Sequence, residues 1–207
     1  MLEQLNNFIT LWVIIDPIAA VPTFVALTGG YDSRARRRIA VATIVTSFLV
    51  LCFFIALGQI IIEAIGVSLR DFQIAGGLIL FLFAANMVIG ERRESLEGSS
   101  DPARMSGLAV YPLAVPTLAG PGAMLTVMLL TDNSRFLILQ QLLTTATLAV
   151  VLIISLAMLL LADPIARAIG VYGANLLKRI MGMVVAAVAV KIVLGGVSGW
   201  LHLPGSG

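Results

Sequence analysis

The sequence predicts an all-α integral membrane protein with six transmembrane helices, arranged as two three-helix repeats of inverted topology. Three observations lead to this fold class: a low charged fraction, six long apolar segments, and two short motifs that recur in the same order. Of the 207 residues, 59% are hydrophobic and 12% are charged, and the mean hydropathy is +1.05. A soluble domain carries about twice that charged fraction. The net charge of +2 is too small to indicate a nucleic-acid partner.

Six segments are long and apolar enough to cross a membrane. A hydrocarbon core about 30 Å thick takes about 20 helical residues. The segments are residues 8–30, 39–62, 72–90, 107–131, 136–162 and 180–201. The first segment contains one charged residue, Asp16, and the sixth contains one, Lys191, while the fourth contains three prolines.

The basic residues indicate how these helices are oriented. Ten of the 13 lie in the connections after the first, third and fifth helices, namely Arg34, Arg36, Arg37, Arg38, Arg92, Arg93, Arg104, Arg167, Lys178 and Arg179. Because cytoplasmic connections are rich in Lys and Arg, this side is predicted to be cytoplasmic. Both termini are then predicted to lie on the outer side.

Two short motifs predict an internal duplication. AVPT occurs at 20–23 and again at 114–117, and IAGG at 74–77 is echoed by IMGM at 180–183. A half with three spans enters the membrane with opposite polarity the second time, an architecture that many transporters share. The predicted units are a first repeat at 1–90, a cytoplasmic linker at 91–106 and a second repeat at 107–203.

Prolines and glycines predict that the first and fourth helices are broken near their midpoints. A proline inside a helix removes one backbone hydrogen bond and displaces the carbonyl four residues earlier. The prolines concerned are Pro17 and Pro22 in the first helix and Pro112, Pro116 and Pro121 in the fourth. Unpaired backbone is tolerated in a membrane only against protein or a water-lined cavity. The alternative is a pair of kinked helices packed on their neighbours.

The two breaks are predicted to present opposite kinds of binding group. Half-helices that start near Pro22 and after Pro121 offer free N–H groups and positive dipole ends, which suit a carboxylate. Freed carbonyls and the carboxylate of Asp16 suit an ammonium group or a small cation. A pocket with both features fits a small zwitterionic substrate.

Asp16 and Lys191 are the ionisable residues predicted to lie within the membrane. A carboxylate there is costly, so Asp16 is a candidate for binding substrate or a coupling ion. The alternative for Asp16 is a helix cap, because Asp before Pro17 is favourable capping chemistry, and the two roles are compatible. Lys191 either pairs with Asp16, which makes it a coupling candidate, or extends towards the interface.

Five further residues are candidates for the substrate site. Thr23 and Thr117 occupy equivalent repeat positions and either bind substrate or satisfy carbonyls freed by the prolines. Gly120 and Gly122 weaken the fourth helix and allow a ligand to approach the backbone. Asn86 either lines a cavity or bonds a neighbouring helix.

The remaining unusual residues are not predicted to carry chemistry. Gly76, Gly77 and Gly182 are expected to permit close helix packing, and Cys52 is expected to be a buried apolar residue. The sequence contains no cluster of His, Asp, Glu or Cys, no serine motif and no phosphate-binding loop. We therefore expect no enzymatic activity, no metal ion, no cofactor and no ATP-driven pumping.

Four stretches are distinctive: DPIAAVPTF from residue 16, IAGGLILFLFA from 74, YPLAVPTLAGPGAM from 111 and RIMGMVVAAVAVKIVLGG from 179. Together they resemble the MarC family of bacterial inner-membrane proteins, also called the six-span neutral amino acid transporter family. The resemblance covers nearly the whole chain. It implies two inverted three-helix repeats related to LysE-type exporters, and an inner-membrane location with periplasmic termini.

The resemblance also implies carriage of small neutral amino acids such as glycine or alanine, coupled in some members to H⁺ or Na⁺. Family members often have Gly where this chain has Ala19 and Ala20, so these two residues are substrate-site candidates whose methyl groups would narrow the pocket. Members carry an uncharged residue in place of Lys191, and a fixed positive charge there would compete with Na⁺.

The leading hypothesis is therefore a secondary transporter of small neutral amino acids. One alternative is a channel or exporter for another small polar solute, in which freed carbonyls line a pore. Another is a non-transporting subunit of a membrane assembly. Membrane lipid is an expected partner, and association into a homo-oligomer is left open.

Overall fold

The structure is a computed structural model that describes residues 2–89, 102–132 and 137–200. Within these ranges every regular element is helical. The helices are α1 (Leu2–Ile15), α2 (Pro17–Thr28), α3 (Ser33–Phe53), α4 (Gln59–Ala64), α5 (Leu69–Ile89), α6 (Pro102–Leu108), α7 (Pro121–Leu130), α8 (Ile138–Leu160) and α9 (Ala162–Trp200). A wider helical turn, Phe54–Gly58, joins α3 to α4, and an irregular helical segment, Ala109–Leu118, lies between α6 and α7.

Five helical segments have the length and composition of membrane spans. They are Gln4–Val25, Ser33–Ile62, Arg70–Ile89, Ile138–Leu160 and Arg179–Gly199. The region of the fourth predicted span contains two shorter apolar helices, Met105–Val115 and Pro121–Leu130. Large apolar side chains cover the outer surface, and Leu49, Leu82 and Ile153 are 62 to 63% exposed. Exposed apolar surface on this scale is typical of contact with lipid, so the prediction of an all-α integral membrane protein is confirmed.

Of the predicted linker at 91–106, residues 91–101 lie outside the described residues. Its last residues are helical, because α6 begins at Pro102. A proline is well tolerated at the first position of a helix, where its missing N–H would have no partner within the helix. Helix α6 therefore begins within the predicted linker and continues to Leu108, in the predicted second repeat. Residues 201–203 of the predicted second repeat also lie outside the described residues.

Polar contacts between distant helices mark the two ends of the bundle. At one end, Arg36 of α3 forms an ion pair with Asp163 of α9. We call this the arginine-rich end. At the other end, Asn7 of α1 donates a hydrogen bond to Thr144 Oγ1 of α8 at 3.2 Å.

One large hydrophobic cluster joins most of the helices. It contains buried side chains from α1, α2, α3, α7, α8 and the segment Ala109–Leu118. A second, smaller cluster joins α5 to α9 and consists of Leu80, Ala84, Val185 and Ala189. The core therefore places both proline-containing regions among buried helices.

Glycines bring α5 into close contact with α9, and we call this contact the α5–α9 seam. A Cβ atom on Gly77 would lie 2.7 Å from Cγ2 of Val193, and one on Gly182 would lie 2.9 Å from Cβ of Met87. Such distances are too short for real side chains, so only glycine permits this separation. A Cβ on Gly76 would similarly lie 3.1 Å from a side-chain carbon of Leu125 on α7. The predicted packing role of these three glycines is confirmed.

Candidate functional site

The first interruption is at Asp16, between α1 and α2. Asp16 has φ 47° and ψ 64°, a left-handed conformation that Asp adopts more readily than most residues because its short side chain bonds locally. Backbone hydrogen bonds continue up to Asp16 from both sides, since Asp16 N donates to Trp12 O at 3.0 Å and Ala20 N donates to Asp16 O at 3.3 Å. The predicted break of the first helix is present as a helix end followed at once by a new helix start.

The new helix begins at Pro17 and not near Pro22, so the predicted start is wrong by five residues. Asp16 is the N-cap and Pro17 takes the first helical position, where a proline loses no hydrogen bond. Pro22 lies inside α2, which continues to Thr28. At this helix start Pro17 has no N–H, and the N–H of Ala19 donates to the side chain of Asp16.

The carboxylate of Asp16 is buried and only half satisfied. The residue is 8% exposed, and its Oδ1 accepts a hydrogen bond from Ala19 N at 3.2 Å. Its Oδ2 has no hydrogen-bond partner among the described residues, so no bond to Lys191 is formed in this structure. An unsatisfied buried polar atom costs about 1–3 kcal/mol, and more when it is charged. The cap accounts for one oxygen of the carboxylate and leaves the other without a partner among the described residues.

Three small predicted site residues lie in the first turns of α2, beside Asp16. Ala19 is 8% exposed, Ala20 is 2% exposed and Thr23 is 9% exposed. Their spacing follows from the helix start at Pro17, which places them within the first two turns. The structure therefore brings four of the predicted residues together in one buried region.

The second interruption lies between α6 and α7. Tyr111 and Val115 have extended backbone within Ala109–Leu118, and the Tyr111–Pro112 peptide bond is cis. The hydroxyl of Thr117 donates a hydrogen bond to the carbonyl of Pro112 at 2.7 Å. Of the two roles predicted for Thr117, the satisfaction of a freed carbonyl is the one formed in this structure.

Helix α7 starts with backbone N–H groups that have no partner within the helix. Gly120 is its N-cap and supplies no side chain, and Pro121 takes the first position. The first backbone hydrogen bond at this start runs from Met124 N to Gly120 O at 2.9 Å. The N–H groups of Gly122 and Ala123 precede it, as the first N–H groups of any helix do. This helix start is the predicted second half-helix.

Gly122 is also required for packing. A Cβ atom there would lie 2.5 Å from Cδ1 of Leu80 on α5. The missing side chain of Gly122 therefore faces α5, and its substitution tests helix packing before it tests ligand binding.

Both interruptions belong to the large hydrophobic cluster. Residues that flank them and share this cluster are Ile14, Ile15, Ala20, Leu118, Ala119 and Ala123. Among residues 2–89, 102–132 and 137–200, no group of three or more His, Cys, Asp or Glu residues could hold a metal ion. The functional groups available here are thus a carboxylate, hydroxyls and backbone.

A cavity of about 680 Å³ opens between α1, α5, α7 and α9. Its wall includes Val13 and Ile14, which precede Asp16, together with Gln73, Thr126 and Lys191. A volume of this size holds a small molecule with room to spare. The cavity therefore reaches the residues that precede the first interruption.

Two other predicted site residues, Asn86 and Lys191, are exposed. Lys191 is exposed and lines the open cavity. Asn86 is exposed on α5, whereas Ala84 and Met87 on the same helix are 0% and 7% exposed. Asn86 therefore lies on the outer face of α5 and not on its buried face.

Sequence reasoning missed a polar cluster at the arginine-rich end, which we call the Arg36 cluster (Phe24, Thr28, Arg36 and Asp163). Arg36 donates hydrogen bonds from Nε to Thr28 Oγ1 at 3.1 Å and from its guanidinium to Asp163 Oδ2. Its guanidinium carbon lies 5.6 Å from the centre of the Phe24 ring. The cluster ties α2 and α3 to the start of α9. No local pattern relates positions so far apart in the sequence, so no signal marked it.

Comparison with known proteins identifies the family. The model of a family described as MarC family integral membrane protein matches residues 2–201. A UPF0056 membrane protein of Aquifex aeolicus is 32% identical over 206 residues, covering 94% of this chain and 92% of the relative. Another from Methanocaldococcus jannaschii is 31% identical over 196 residues (93% and 86%), and one from Buchnera aphidicola is 28% identical over 203 residues (98% and 100%). No solved structure matches. Since the family match spans nearly the whole chain, the protein belongs to the MarC family of integral membrane proteins.

Proposed function

We propose that the protein is a secondary transporter of small neutral amino acids of the size of glycine or alanine, with no enzymatic activity. The observation that carries this proposal is the unpartnered Oδ2 of Asp16, buried at a helix interruption. An ionisable group at membrane depth that is held without a full set of partners is a functional candidate. A ligand ammonium group would supply the missing donors.

The second interruption offers a binding site for the carboxylate of the substrate. In this proposal the substrate carboxylate binds N–H groups at the start of α7, near Gly122 and Ala123, where the helix dipole favours negative charge. Both helix starts border the same hydrophobic cluster. A zwitterion placed between them is neutralised at both ends without any long polar side chain.

The small residues near Asp16 limit the size of the substrate. Ala19, Ala20 and Thr23 are all at most 9% exposed, so little free volume surrounds the carboxylate. A substrate side chain much larger than a methyl group would have to displace α2 packing. This supports glycine and alanine over bulkier neutral amino acids.

Alternating access requires that one side is open while the other is closed. In this proposal the cavity of about 680 Å³ beside the first interruption is the open access route, while the Arg36 cluster ties helices together and closes the arginine-rich end. In our proposal the chain spans the bacterial inner membrane six times as two inverted repeats, with the arginine-rich end cytoplasmic and both termini periplasmic. Asp16 and Lys191 are the residues through which H⁺ or Na⁺ coupling would act.

Counterflow in proteoliposomes tests this function. We expect unlabelled alanine inside the vesicles to accelerate uptake of labelled glycine or alanine. Asp16→Asn should lower the rate at least about tenfold, because one charged hydrogen bond is worth about 1.5–3 kcal/mol and 1.4 kcal/mol is a factor of ten. Its thermal stability should be nearly unchanged, since Asn is as good an N-cap as Asp.

Asp32→Asn is the matched control. Asp32 caps α3 in the same way, accepting a hydrogen bond from Ala35 N at 2.8 Å, but it is exposed. Its replacement should leave counterflow unchanged. Equal rates in Asp16→Asn and wild type at every pH would refute the proposal. Flux without trans-stimulation would favour a channel, and no response to any amino acid would favour an assembly subunit.

A further inference from the structure

Helical geometry separates the arginines of α3 into two groups. Arg36 turns inward to Asp163, whereas Arg34, Arg37 and Arg38 are exposed. On a helix, residues three and four positions apart lie on the same face. The three exposed arginines therefore form one outward-facing group, which we call the arginine triad.

The arginine triad continues into an apolar groove on the same face. A groove of about 610 Å³ is lined by the triad together with Val41, Ala42 and Val45. Val41 and Val45 are 41% and 50% exposed. From Arg34 to Val45 the helix rises about 16 Å at 1.5 Å per residue. The groove thus changes from strongly basic to apolar over a distance that matches the headgroup and upper acyl chains of a lipid.

No described acidic side chain neutralises the triad. The ion pair found in the described ranges joins Arg36 to Asp163. The nearby carboxylate of Asp32 accepts the backbone N–H of Ala35 and so is engaged at the helix start. Three guanidinium groups remain available to an anion, and guanidinium forks bind phosphate oxygens in pairs.

We propose that this groove is a binding site for a diacyl phospholipid with a net negative headgroup. The phosphate binds the arginine triad and an acyl chain lies against Val41 and Val45. Both valines lie in the uncharged run 39–62, which is long enough to cross the hydrocarbon core, so the apolar part of the groove lies where lipid chains are. A soluble phosphate compound would leave these valines uncovered, which favours a lipid as the source of the phosphate.

Native mass spectrometry of the detergent-solubilised full chain tests this site. The probes are phosphatidylglycerol, which is anionic, and phosphatidylcholine with identical acyl chains, which has no net charge. Wild type should prefer phosphatidylglycerol at least about tenfold, since one basic residue at an anionic surface contributes a factor of about five. Glycerophosphoglycerol, the same headgroup without acyl chains, should bind at least about tenfold more weakly than the lipid, because it buries no apolar surface.

Substitutions test whether the arginine triad causes the preference for phosphatidylglycerol. Replacing the triad together by Gln should abolish it, and each single variant, such as Arg37→Gln, should reduce it about fivefold even if the triple variant fails to fold. Arg70→Gln removes an exposed arginine outside the groove and should leave the preference unchanged. Equal binding of both lipids to wild type would overturn the proposal. The proposal would also be overturned if the preference for phosphatidylglycerol survived in the single and triple variants. The same holds if glycerophosphoglycerol bound as well as the whole lipid.

Discussion

Replacing Arg36 by Gln tests whether the Arg36 cluster holds the arginine-rich end closed. The substitution removes the ion pair with Asp163, the hydrogen bond to Thr28 and the contact with the Phe24 ring. These contacts join α2 and α3 to α9. If that end opens during transport, all three contacts have to break together.

The contacts give a magnitude for this effect. The side chains of Arg36 and Asp163 are 16% and 50% exposed, so solvent screens the ion pair and limits it to about 1 kcal/mol. The hydrogen bond to Thr28 contributes about 1 kcal/mol, and the aromatic contact about 0.5–1 kcal/mol. Because neighbouring contributions are not additive, we take about 2 kcal/mol for the cluster. Its loss should raise the open population about 30-fold, since 1.4 kcal/mol is a factor of ten.

Cysteine labelling at Leu159 measures this population. Leu159 is 3% exposed and lines a pocket of about 230 Å³ that also contains Arg36 and Asp163. In a Cys52→Ser background, Leu159→Cys should react with a polar maleimide only when the end opens. We expect Arg36→Gln to increase the labelling rate about 30-fold, in line with the population shift.

Two comparisons decide the outcome. Asp163→Asn should raise the labelling rate by no more than about fivefold, because Arg36 keeps its contacts with Thr28 and Phe24 when the screened ion pair is lost. Arg179→Gln, which removes an exposed arginine outside the cluster, should have no effect. The reasoning is refuted if Arg36→Gln labels at the parent rate, or if Asp163→Asn has the larger effect.

Two further substitutions test the second interruption. Gly122→Ala should destabilise the protein by about 1–3 kcal/mol, the range for overpacking, as measured by thermal unfolding in detergent. Leu80→Ala removes the side chain that the new methyl group would meet, so the double variant should lose less stability than the sum of the two single losses. A neutral Gly122→Ala, or strictly additive losses, would show that α7 does not pack on Leu80 as described. Thr117→Val should lower the free energy of unfolding by about 1–3 kcal/mol, because it leaves the carbonyl of Pro112 unpaired. If thermal unfolding of this variant were unchanged, the 2.7 Å hydrogen bond would not stabilise the interruption.

The membrane-spanning helices and both interruptions could be predicted because their causes are local. Apolar length determines a span, and a proline disrupts the helix in which it occurs. The same local chemistry identified Asp16, since a carboxylate beside Pro17 stands out in an apolar segment. The helix start predicted near Pro22 was wrong, whereas the alternative prediction of a cap by Asp16 before Pro17 is confirmed by the hydrogen bond from Ala19 N to Asp16 Oδ1.

Features that depend on the packing of distant segments could not be predicted. The exposure of Asn86 depends on how α5 is rotated against α9. An asparagine is compatible with either the buried or the exposed face of a helix, so the sequence did not indicate which one it occupies. The Arg36 cluster needs α3 and α9 to meet at one end, and nothing near Arg36 or Asp163 in the sequence encodes that meeting. The same limit applies to Thr117, whose partner became known only once the path of Ala109–Leu118 was known.

The α5–α9 seam has a mechanical consequence. One helix belongs to the first half of the chain and the other to the second half, and the glycines along the seam, such as Gly77, Gly182 and Gly196, leave no space in which the pair could slide. Interdigitated helices of this kind move as one body, because small displacements already cause overlap. The two halves are thus joined in a single rigid frame. Any exchange of access across the membrane has to come from local movement of the helices that carry the interruptions, and not from separation of the halves.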